Sequence, residues 1–363
     1  MKDSGEKVLV ALSGGVDSSV AAILLQEEGY EVMAVTLKTF CYQGETGPKA
    51  CCGLEGVNAA RSVAAKLGIP HIVLDVSSAF EKEVIEDFVN EYSVGRTPNP
   101  CVRCNATVKI PYLLDKAVSY GCKYLATGHY ASVVTDPVGR YLLKRGKDGK
   151  KDQSYFLWEI PQRVLPFLKL PLGGYTKPEI RKIAESKGLA NANRPESQEI
   201  CFVPDGKYMN FLRDHLPGDH PGFKPGNIIG PDGKKLGRHD GYMGYTVGQR
   251  KGIGGGHGER MYVCRIDPEK CQVIVGPREM LMGKKLTVGK INSYVGIPLA
   301  GSHFFVQIRY KTKPVECEVS EVDNDTWKIC LKEAVYAVSP GQSAVFYDGE
   351  TLVAGGTILE SEA

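Results

Sequence analysis

The sequence has no apolar run that approaches the roughly 20 residues of a membrane-spanning helix. Residues 1–7 are mostly polar and lack the apolar core of a secretory signal peptide. Together these absences predict a cytoplasmic protein without a membrane partner. The sequence also lacks internal repeats and low-complexity tracts, so a repeat array is not expected.

A strong excess of one charge is missing as well. The chain has 45 Lys and Arg against 42 Asp and Glu, a formal net charge of +3. Such a charge permits nucleic-acid binding without requiring it. With 363 residues the chain is too long for one compact core, and two or three domains are expected. Eleven cysteines in a cytoplasmic chain favour core thiols, catalytic thiols or metal ligands over a disulfide framework.

Two common phosphate-binding motifs are absent near the start of the chain. No Lys precedes Ser or Thr as in a P-loop, and G-x-G-x-x-G does not occur there. Instead, an apolar strand-like run over Val8–Leu12 leads into the turn Ser13–Ser19, and a helix is expected from Val20 to Gly29. This layout directs backbone N–H groups and a helix N-terminus at an anion. The alternative is an ordinary turn whose serines only cap the helix.

The turn, Ser-Gly-Gly-Val-Asp-Ser, resembles the pyrophosphate loop of the ATP pyrophosphatases, which split ATP into an adenylyl group and pyrophosphate. The two glycines allow a tight turn and close approach of a phosphate. The resemblance implies that the loop binds ATP with Mg²⁺. The residues concerned are Ala11, Leu12, Ser13, Gly14, Gly15, Val16, Asp17 and Ser18.

The first half of the chain alternates strands and helices, which predicts an α/β fold with a Rossmann-like parallel sheet and helices on both faces. The expected strands are Glu31–Leu37, His71–Val76 and Tyr124–Tyr130, the expected helices are Glu55–Leu67 and Phe80–Tyr92, and Cys41–Gly53 is expected to be a loop. Ligands of such sheets bind beyond the carboxyl ends of the strands. Leu37, Gly128 and the first loop should therefore surround one nucleotide.

The rest of the chain changes character. A hairpin is expected over Val133–Arg145 and a helix over Thr176–Lys187, with Thr176 as N-cap. Closely spaced Gly and Pro turns then predict a small β-rich central domain, and alternating segments after Leu286 predict a C-terminal β-barrel. The expected domains are 1–205, 206–282 and 283–363. The glycine-rich segment Gly252–Gly258 could be a linker or a loop that contacts a ligand or tRNA.

Two cysteines are candidates for chemistry. Cys104 is expected close to the N-terminus of a helix that runs on from about Ala106, and Arg103 is its neighbour. A helix N-terminus and a guanidinium both favour a thiolate, which is a nucleophile. Cys201 lies between the apolar residues Ile200 and Phe202.

Seven short motifs occur in a fixed order along the chain. They are Ser-Gly-Gly-Val-Asp-Ser, Pro-Asn-Pro-x-x-x-Cys-Asn, Gly-His-Tyr, Lys-Asp-Gln-Ser-Tyr, Ile-Cys-Phe, Gly-Gln-Arg-Lys-Gly and Pro-Gly-Gln. The ordered set resembles the bacterial tRNA-specific 2-thiouridylases of the ATP pyrophosphatase superfamily over essentially the whole chain. The resemblance implies that ATP adenylates the C2 oxygen of the wobble uridine in tRNA, and that sulfur then replaces this oxygen with release of AMP.

The resemblance also implies roles for individual residues. Cys104 would be the catalytic nucleophile, Cys201 would carry a persulfide, and Leu37 and Gly128 would contact ATP with the loop. Contacts to tRNA are implied for Asn99, His129, Lys151, Asp152, Gln153, Arg309, Tyr310 and Gln342. The implied partners are tRNA and a sulfur donor such as a cysteine desulfurase or a sulfur-relay protein.

One position departs from the family pattern. Well-known members have an acidic residue where Cys101 stands, so this chain has no carboxylate at that position for the implied contact to the target base. Cys101, Cys104 and Cys201 could together hold a 4Fe–4S cluster. Alternatively, Cys101 has no role, and the other two thiols form a disulfide when sulfur transfer is complete.

Two other functions stay open from the residues alone. The loop is compatible with an ATP pyrophosphatase that amidates a small molecule. Cys101-x-x-Cys104 is compatible with a metal–thiol sensor or tRNA-binding module that is not an enzyme.

Overall fold

The computed structural model describes residues 5–40, 54–192, 200–203, 206–253, 260–323 and 325–362. The expected loop Cys41–Gly53 and most of the glycine-rich segment at 252–258 lie outside these residues. The chain forms two compact units. The first comprises Met1–Ile85, Cys101–Gly206 and Glu350–Val353, and the second comprises Glu86–Pro100, Lys207–Gly349 and Ala354–Ala363.

Helices dominate the first part of the chain and strands the last part. The α-helices are α1 (Val16–Glu27), α2 (Leu54–Leu67), α3 (Ser77–Phe80), α4 (Glu86–Ser93), α5 (Pro100–Arg103), α6 (Ile110–Ser119), α7 (Lys177–Ser186) and α8 (Tyr208–His215). The strands are β1 (Lys7–Ala11), β2 (Glu31–Lys38), β3 (His71–Asp75), β4 (Tyr124–Ala126), β5 (Ala131–Thr135), β6 (Tyr141–Arg145), β7 (Leu168–Lys169), β8 (Gly226–Ile229), β9 (Lys235–His239), β10 (Tyr262–Asp267), β11 (Gln272–Gly276), β12 (Met282–Ser293), β13 (Ser302–Gln307), β14 (Val315–Val322), β15 (Thr326–Tyr336), β16 (Ser343–Asp348) and β17 (Thr351–Glu362). Within the described residues, no helix is long and apolar enough to span a bilayer.

The first unit is built on a five-stranded sheet in the order β3-β2-β1-β4-β7, in which neighbouring strands are parallel. This confirms the predicted Rossmann-like sheet. The chain steps from β1 outward through β2 to β3 and then returns to the other side of β1 with β4. In such sheets the strand order reverses at a crevice where ligands bind, here at the carboxyl ends of β1 and β4.

Helix α1 is buried on both flanks, which explains its lack of an amphipathic pattern. One side packs through Ala22 and Leu25 onto a core cluster with the sheet and α2. The other side packs through Val20 and Ile23 onto a cluster that includes Ile180 of α7. A helix that is apolar all round is expected only inside a core. The contacts on both sides therefore fix the position of the α1 N-terminus next to the loop that precedes it.

Several predicted elements of the first unit have different limits in the structure. Helix α1 begins at Val16 and not at Val20, so Val16–Ser19 of the predicted turn are helical. Strand β4 ends at Ala126, four residues earlier than expected. The helix expected from Ala106 begins at Pro100, because proline at the first helical position loses no hydrogen bond. It continues through a π-helical segment, Cys104–Lys109, into α6. The predicted hairpin is confirmed as β5 and β6, and Thr176 caps α7 as predicted.

The second unit contains a four-stranded sheet in the order β10-β11-β8-β9 and a six-stranded antiparallel barrel. The barrel order is β12-β15-β14-β13-β16-β17, and pairing of β12 with β17 closes it. The predicted β-rich region and C-terminal barrel are thus confirmed. Helix α8 was not expected among the turns that precede the sheet. Its Phe211 packs edge to face on Phe88 of α4, with ring centroids 6.0 Å apart.

Candidate active site

The loop between β1 and α1 depends on one glycine in particular. Gly14 has φ +76°, and a Cβ there would lie 2.5 Å from the Gly56 carbonyl oxygen and 2.9 Å from Cβ of Ala59 on α2. Gly15 is the N-cap of α1 with φ −84°, a value open to any residue. Glycine is therefore required at position 14 by the fold itself, whereas the backbone conformation at position 15 is open to other residues.

Serine hydroxyl groups shape the same loop from inside. The Ser13 backbone N–H donates to Ser18 Oγ at 3.2 Å, and Ser19 Oγ donates to the Gly15 carbonyl at 2.9 Å. Ser18 and Ser19 are buried, whereas Ser13 is exposed. The two buried hydroxyls hold the loop in shape, and Ser13 is the one that can meet a ligand.

Asn191 supports the loop from a distant part of the chain, and the sequence analysis missed it. Its buried Nδ2 donates to the Gly14 carbonyl at 3.0 Å and to Ser19 Oγ at 3.0 Å. Its buried Oδ1 has no hydrogen-bond partner among the described residues. The side chain thus fixes the strained glycine and the first turn of α1 together.

Asp17, in the first turn of α1, is held by a lysine that the sequence analysis also missed. Lys177 Nζ lies 2.8 Å from both carboxylate oxygens, and the Tyr130 hydroxyl donates to Oδ1 at 2.6 Å. The Lys177 side chain is only 8% exposed and that of Asp17 is 28% exposed. The ammonium and the carboxylate therefore form a closely paired and largely buried contact beside the loop.

The start of α7 explains why Lys177 is placed so firmly. Thr176 and Glu179 form a capping box, in which the Glu179 carboxylate accepts the Thr176 N–H at 2.6 Å. Hydrogen bonds from the Thr176 backbone, from its hydroxyl and from Lys147 lower the pKa of Glu179 to about 2. The Lys177 N–H also donates to Asp148 Oδ2 at 2.9 Å. The capping pattern is visible in the sequence and was the available signal for Lys177.

The carboxyl ends of β2 and β4 flank the loop, as the sequence predicts. A Cβ on Gly128 would lie 2.8 Å from the Ser18 backbone nitrogen and 3.0 Å from the Asp17 carbonyl carbon, so β4 ends directly against α1. Leu12 bonds to β2 through its N–H, at 2.8 Å from the Val35 oxygen, and Leu37 lies two residues further along β2. The residues expected to contact ATP thus share one edge of the sheet.

His129 follows Gly128 and is expected to contact tRNA. Its Nδ1 lies 2.8 Å from Oγ1 of Thr127. Burial lowers the pKa of His129 to about 3, and the charge of Lys109 acts in the same direction. The imidazole is therefore neutral near pH 7, and any role in RNA binding uses hydrogen bonding or stacking rather than charge.

The segment expected to contact tRNA, Lys151–Gln153, contains side chains with different internal contacts. The buried Asp152 carboxylate accepts from Arg145 Nη1 at 3.0 Å, from the Gly146 N–H and from Ser154. Gln153 Oε1 accepts the Tyr130 N–H at 3.0 Å. Asp152 and Gln153 therefore hold the segment in shape, and Lys151 beside them is half-buried.

The surroundings of Cys104 differ from those that led to the prediction of a thiolate there. The helix begins at Pro100, so Cys104 is its fifth residue and does not lie at the N-terminus. The Arg103 guanidinium pairs with Glu159 at 2.6 Å and with Glu83 at 3.2 Å, which offsets its charge. Neither the helix N-terminus nor Arg103 acts on Cys104 in the way that was expected.

Two contacts that sequence reasoning missed lie next to the candidate cysteines within the first unit. Asn105, next to Cys104, is buried and donates from Nδ2 to the Phe156 carbonyl at 3.0 Å. Phe202, next to Cys201, is buried and packs edge to face on Phe80 with ring centroids 5.7 Å apart. Cys104 and Cys201 are half-buried free thiols. Each thiol thus sits beside a core contact that limits its movement.

The three cysteines do not meet the requirements of a cluster in this structure. Over the described residues, no group of three or more His, Cys, Asp or Glu side chains is arranged to hold a metal ion. Cys101, Cys104 and Cys201 all lie in this part of the chain, and Cys101 is exposed. In the arrangement described, these three thiols are therefore not grouped as a 4Fe–4S cluster would require.

In the second unit, two of the residues expected to contact tRNA are engaged in internal contacts. Arg309 Nη2 donates to Ser339 Oγ at 2.6 Å and to the Val247 carbonyl at 3.2 Å. Gln342 Nε2 donates to the carbonyl oxygens of Thr97 and Pro98 at 2.9 and 3.1 Å.

The chain matches three family descriptions in succession. They are a tRNA methyl transferase HUP domain over residues 6–205, a tRNA methyl transferase PRC-barrel domain over 209–277 and an aminomethyltransferase beta-barrel domain over 283–358. The tRNA-specific 2-thiouridylase MnmA of Salinibacter ruber is 47% identical over 361 residues, which cover 98% of this chain and 94% of that protein. The protein of the same name from Carboxydothermus hydrogenoformans is 46% identical over 359 residues, which cover 97% of each chain. The family predicted from the ordered motifs is thereby confirmed, and the chain belongs to the tRNA-specific 2-thiouridylases.

Proposed function

We propose that this protein converts a wobble uridine of tRNA to 2-thiouridine, with ATP and a persulfide sulfur as co-substrates. The observation that carries the proposal is the loop at the carboxyl edge of the sheet. Gly14, held by Asn191, exposes the start of α1 to the crevice beside β4. Backbone N–H groups at a helix N-terminus bind phosphate oxygens. Membership of the thiouridylase family supports ATP as the nucleotide.

In the first step the C2 oxygen of uridine attacks the α-phosphorus of ATP, and pyrophosphate leaves. Mg²⁺ enters with ATP as part of the substrate and offsets the charge of its phosphates. The Asp17–Lys177 pair carries no net charge, so its ammonium group serves as a fixed hydrogen-bond donor beside the loop, where negative charge grows on the leaving pyrophosphate. Adenylation turns a poor leaving group, the carbonyl oxygen, into AMP.

In the second step the terminal sulfur of a persulfide on Cys201 attacks C2, and AMP leaves. Cys104 then attacks Sγ of Cys201, the sulfur–sulfur bond breaks, and its electron pair remains on the sulfur bound to C2 as 2-thiouridine. The products are a Cys104–Cys201 disulfide and thiolated tRNA, so an external thiol must reduce the disulfide before the next turnover. Persulfide would come from a cysteine desulfurase or a sulfur-relay protein.

For tRNA binding we propose Asn99, His129, Arg309 and Tyr310 together with the segment Lys151–Gln153. Lys151 contributes charge, whereas Asp152 and Gln153 contribute shape through their internal hydrogen bonds. The domain division 1–205, 206–282 and 283–363 is part of the same proposal, and the three successive family matches support it.

The test is mass spectrometry of nucleosides from tRNA incubated with the protein, ATP and a ³⁴S-labelled persulfide. We expect labelled 2-thiouridine, with one AMP and one pyrophosphate for each sulfur transferred. Cys104→Ser and Cys201→Ser should abolish labelled product. Cys330→Ser is the matched control, since Cys330 is a half-buried free thiol of the barrel. Wild-type product from either active-site variant, or pyrophosphate release without any thiolated uridine, would refute the proposal.

A further inference from the structure

The side-chain amide of Asn191 has one orientation against the loop between β1 and α1, and all the residues concerned lie in the first unit. Its Nδ2 lies 3.0 Å from the Gly14 carbonyl oxygen, which can only accept a hydrogen bond. The same Nδ2 lies 3.0 Å from Ser19 Oγ, which already donates its proton to the Gly15 carbonyl at 2.9 Å. Both neighbours therefore require a donor, so Nδ2 and not Oδ1 faces the loop.

The first of these bonds sets the direction of the Gly15 N–H. The Gly14 carbonyl and the Gly15 N–H belong to one planar trans peptide unit, so they point in opposite directions. Because the buried Asn191 holds the carbonyl, the N–H is turned toward the exposed Ser13. Its distance of 3.4 Å to Ser13 Oγ is longer than that of an ordinary hydrogen bond, so a phosphate oxygen can replace this contact.

The second bond acts in the same way on the next peptide unit. Ser19 Oγ accepts from Asn191 and donates to the Gly15 carbonyl. The hydroxyl of the buried Ser18 donates to the same carbonyl at 3.2 Å. The Gly15 carbonyl is thus held on the buried side, and the Val16 N–H of that peptide unit points away from it. Successive N–H groups that a turn directs outward can bind an anion together.

The loop backbone has little resistance of its own to a different arrangement. Gly14 and Gly15 are adjacent, and glycine adopts both signs of φ at low cost. A rotated peptide unit would turn a carbonyl oxygen, which carries partial negative charge, toward the phosphates of a bound nucleotide. The donors of Asn191 oppose this rotation, because it would break the bonds to the Gly14 carbonyl and, through Ser19, to the Gly15 carbonyl.

The other half of the Asn191 amide makes no such bond. Its Oδ1 is buried and has no hydrogen-bond partner among the described residues. A buried acceptor without a partner costs free energy, which offsets part of the stability that the two donated bonds contribute. A function of the two donors beyond stability accounts for the presence of this side chain.

We propose that Asn191 is a positioning residue for the pyrophosphate end of ATP. It holds the carbonyls of Gly14 and Gly15 on the buried side, so that the N–H groups of Gly15 and Val16 face the phosphates, and it does not contact ATP itself. This inference rests on the proposed function, in which the loop binds ATP. It requires Asn191 to contribute to the binding of the β- and γ-phosphates and not to the binding of AMP.

The experiment compares full-length Asn191→Leu with wild type, because Leu keeps the approximate shape of the side chain without its donors. Isothermal titration calorimetry, with unmodified tRNA present, gives the Kd of AMP and that of the magnesium complex of α,β-methylene-ATP, which cannot release pyrophosphate. We expect the Kd of the ATP analogue to rise at least about tenfold, since hydrogen bonds to charged groups are worth this factor or more. The Kd of AMP should stay within twofold.

A second variant breaks only one of the two connections. Ser19→Ala removes the link from Asn191 to the Gly15 carbonyl, so it should raise the Kd of the ATP analogue by less than Asn191→Leu does, again without an effect on AMP. In the double variant the two losses should not multiply, since both variants break one network. Gln26→Met is the matched control: Gln26 also lies on α1, and its Nε2 donates to the Leu67 carbonyl at 3.2 Å. It should leave both Kd values unchanged.

Equal rises in the Kd of AMP and of the ATP analogue would overturn the proposal, because they would show a general loss of the nucleotide site. Unchanged affinity for the analogue in Asn191→Leu would overturn it as well. If Asn191→Leu does not fold, Ser19→Ala decides by the same comparison of the two ligands. Failure of the proposed function would be seen separately, because the wild-type protein itself would then form no 2-thiouridine.

Discussion

Lys177→Met should destabilise the first unit by about 2–3 kcal/mol, because it leaves the Asp17 carboxylate without its cation. Removing one partner of a buried ion pair costs about 3–5 kcal/mol, whereas exposed pairs are worth about 0–1 kcal/mol. The pair lies between these limits: Lys177 is 8% exposed, but Asp17 at 28% keeps some water. The Tyr130 hydroxyl also keeps its bond to Asp17. Met replaces the aliphatic stem, so no large cavity adds to the cost.

The two tryptophans of the chain allow the first unit to be followed alone. Trp158 is buried in the first unit and Trp327 in the second. In a Trp327→Phe background, urea unfolding observed by tryptophan fluorescence reports on the first unit. The free energy of unfolding of the Lys177→Met variant is then compared with that of its parent.

Lys147→Met is the matched control at the same helix N-terminus. Lys147 pairs with Glu179 at 3.2 Å, but the two side chains are 55% and 45% exposed. Its loss should change the free energy of unfolding by less than about 0.5 kcal/mol. Asp17→Asn combined with Lys177→Met should cost less than the sum of the two single changes, since the variants share one interaction. Equal effects of Lys177→Met and Lys147→Met would refute the reasoning.

Three further predictions concern the site. Gly128→Ala should destabilise the first unit by about 1–3 kcal/mol and slow pyrophosphate release at least tenfold, because its Cβ would meet the Ser18 backbone. Gly149→Ala is the control, since a Cβ at Gly149 would have no neighbour within 4 Å, and it should change neither the stability nor the rate. Equal effects of the two variants would contradict the prediction. The pKa of His129 is about 3 in the folded protein and about 6.5 in the unfolded chain. Between pH 6.5 and 3, His129 therefore binds a proton only in the unfolded chain, and the free energy of unfolding should fall as the pH drops through this range. The urea concentration at the midpoint of unfolding should differ less between pH 7 and pH 4.5 in His129→Asn than in wild type. The same difference in both proteins would argue against a contribution of His129 to the pH dependence. Affinity for tRNA should fall steeply with salt, and Lys151→Ala should reduce the slope of log K against log salt by about 1; an unchanged slope would remove Lys151 from the phosphate contacts.

The loop could be predicted from the sequence because its determinants are local. An apolar β-branched run, two glycines and a following apolar helix specify a strand, a tight turn and an exposed helix N-terminus without help from the rest of the chain. The same holds for the capping box of Thr176 and Glu179 and for the hairpin of β5 and β6. The strand, the capping box and the hairpin appear where they were expected, since short-range hydrogen bonds and backbone preferences decide them. Helix α1, in contrast, begins at Val16, inside the predicted turn.

The start of the cysteine helix could not be predicted in the same way. The prolines before Cys101 favour an extended chain, and residues 96–99 form neither helix nor strand. Pro100 nevertheless starts the helix, since proline at the first helical position loses no hydrogen bond. The Asn105 side chain further along donates to the Phe156 carbonyl, 51 residues later in the chain. Local preference allowed both starting points, and a tertiary contact supports the earlier one.

The sequence by itself thus determined the family, the order of the elements, the glycine loop and the identity of the two reactive cysteines as candidates. Only the tertiary structure decided which side chains complete the site. Lys177 and Asn191 reach the loop from 160 and 177 residues away, and Gln342 reaches Thr97 across 245 residues. Such contacts leave no periodic pattern in a sequence, because a buried ion pair or a side-chain amide needs a partner in space and not at any fixed spacing along the chain.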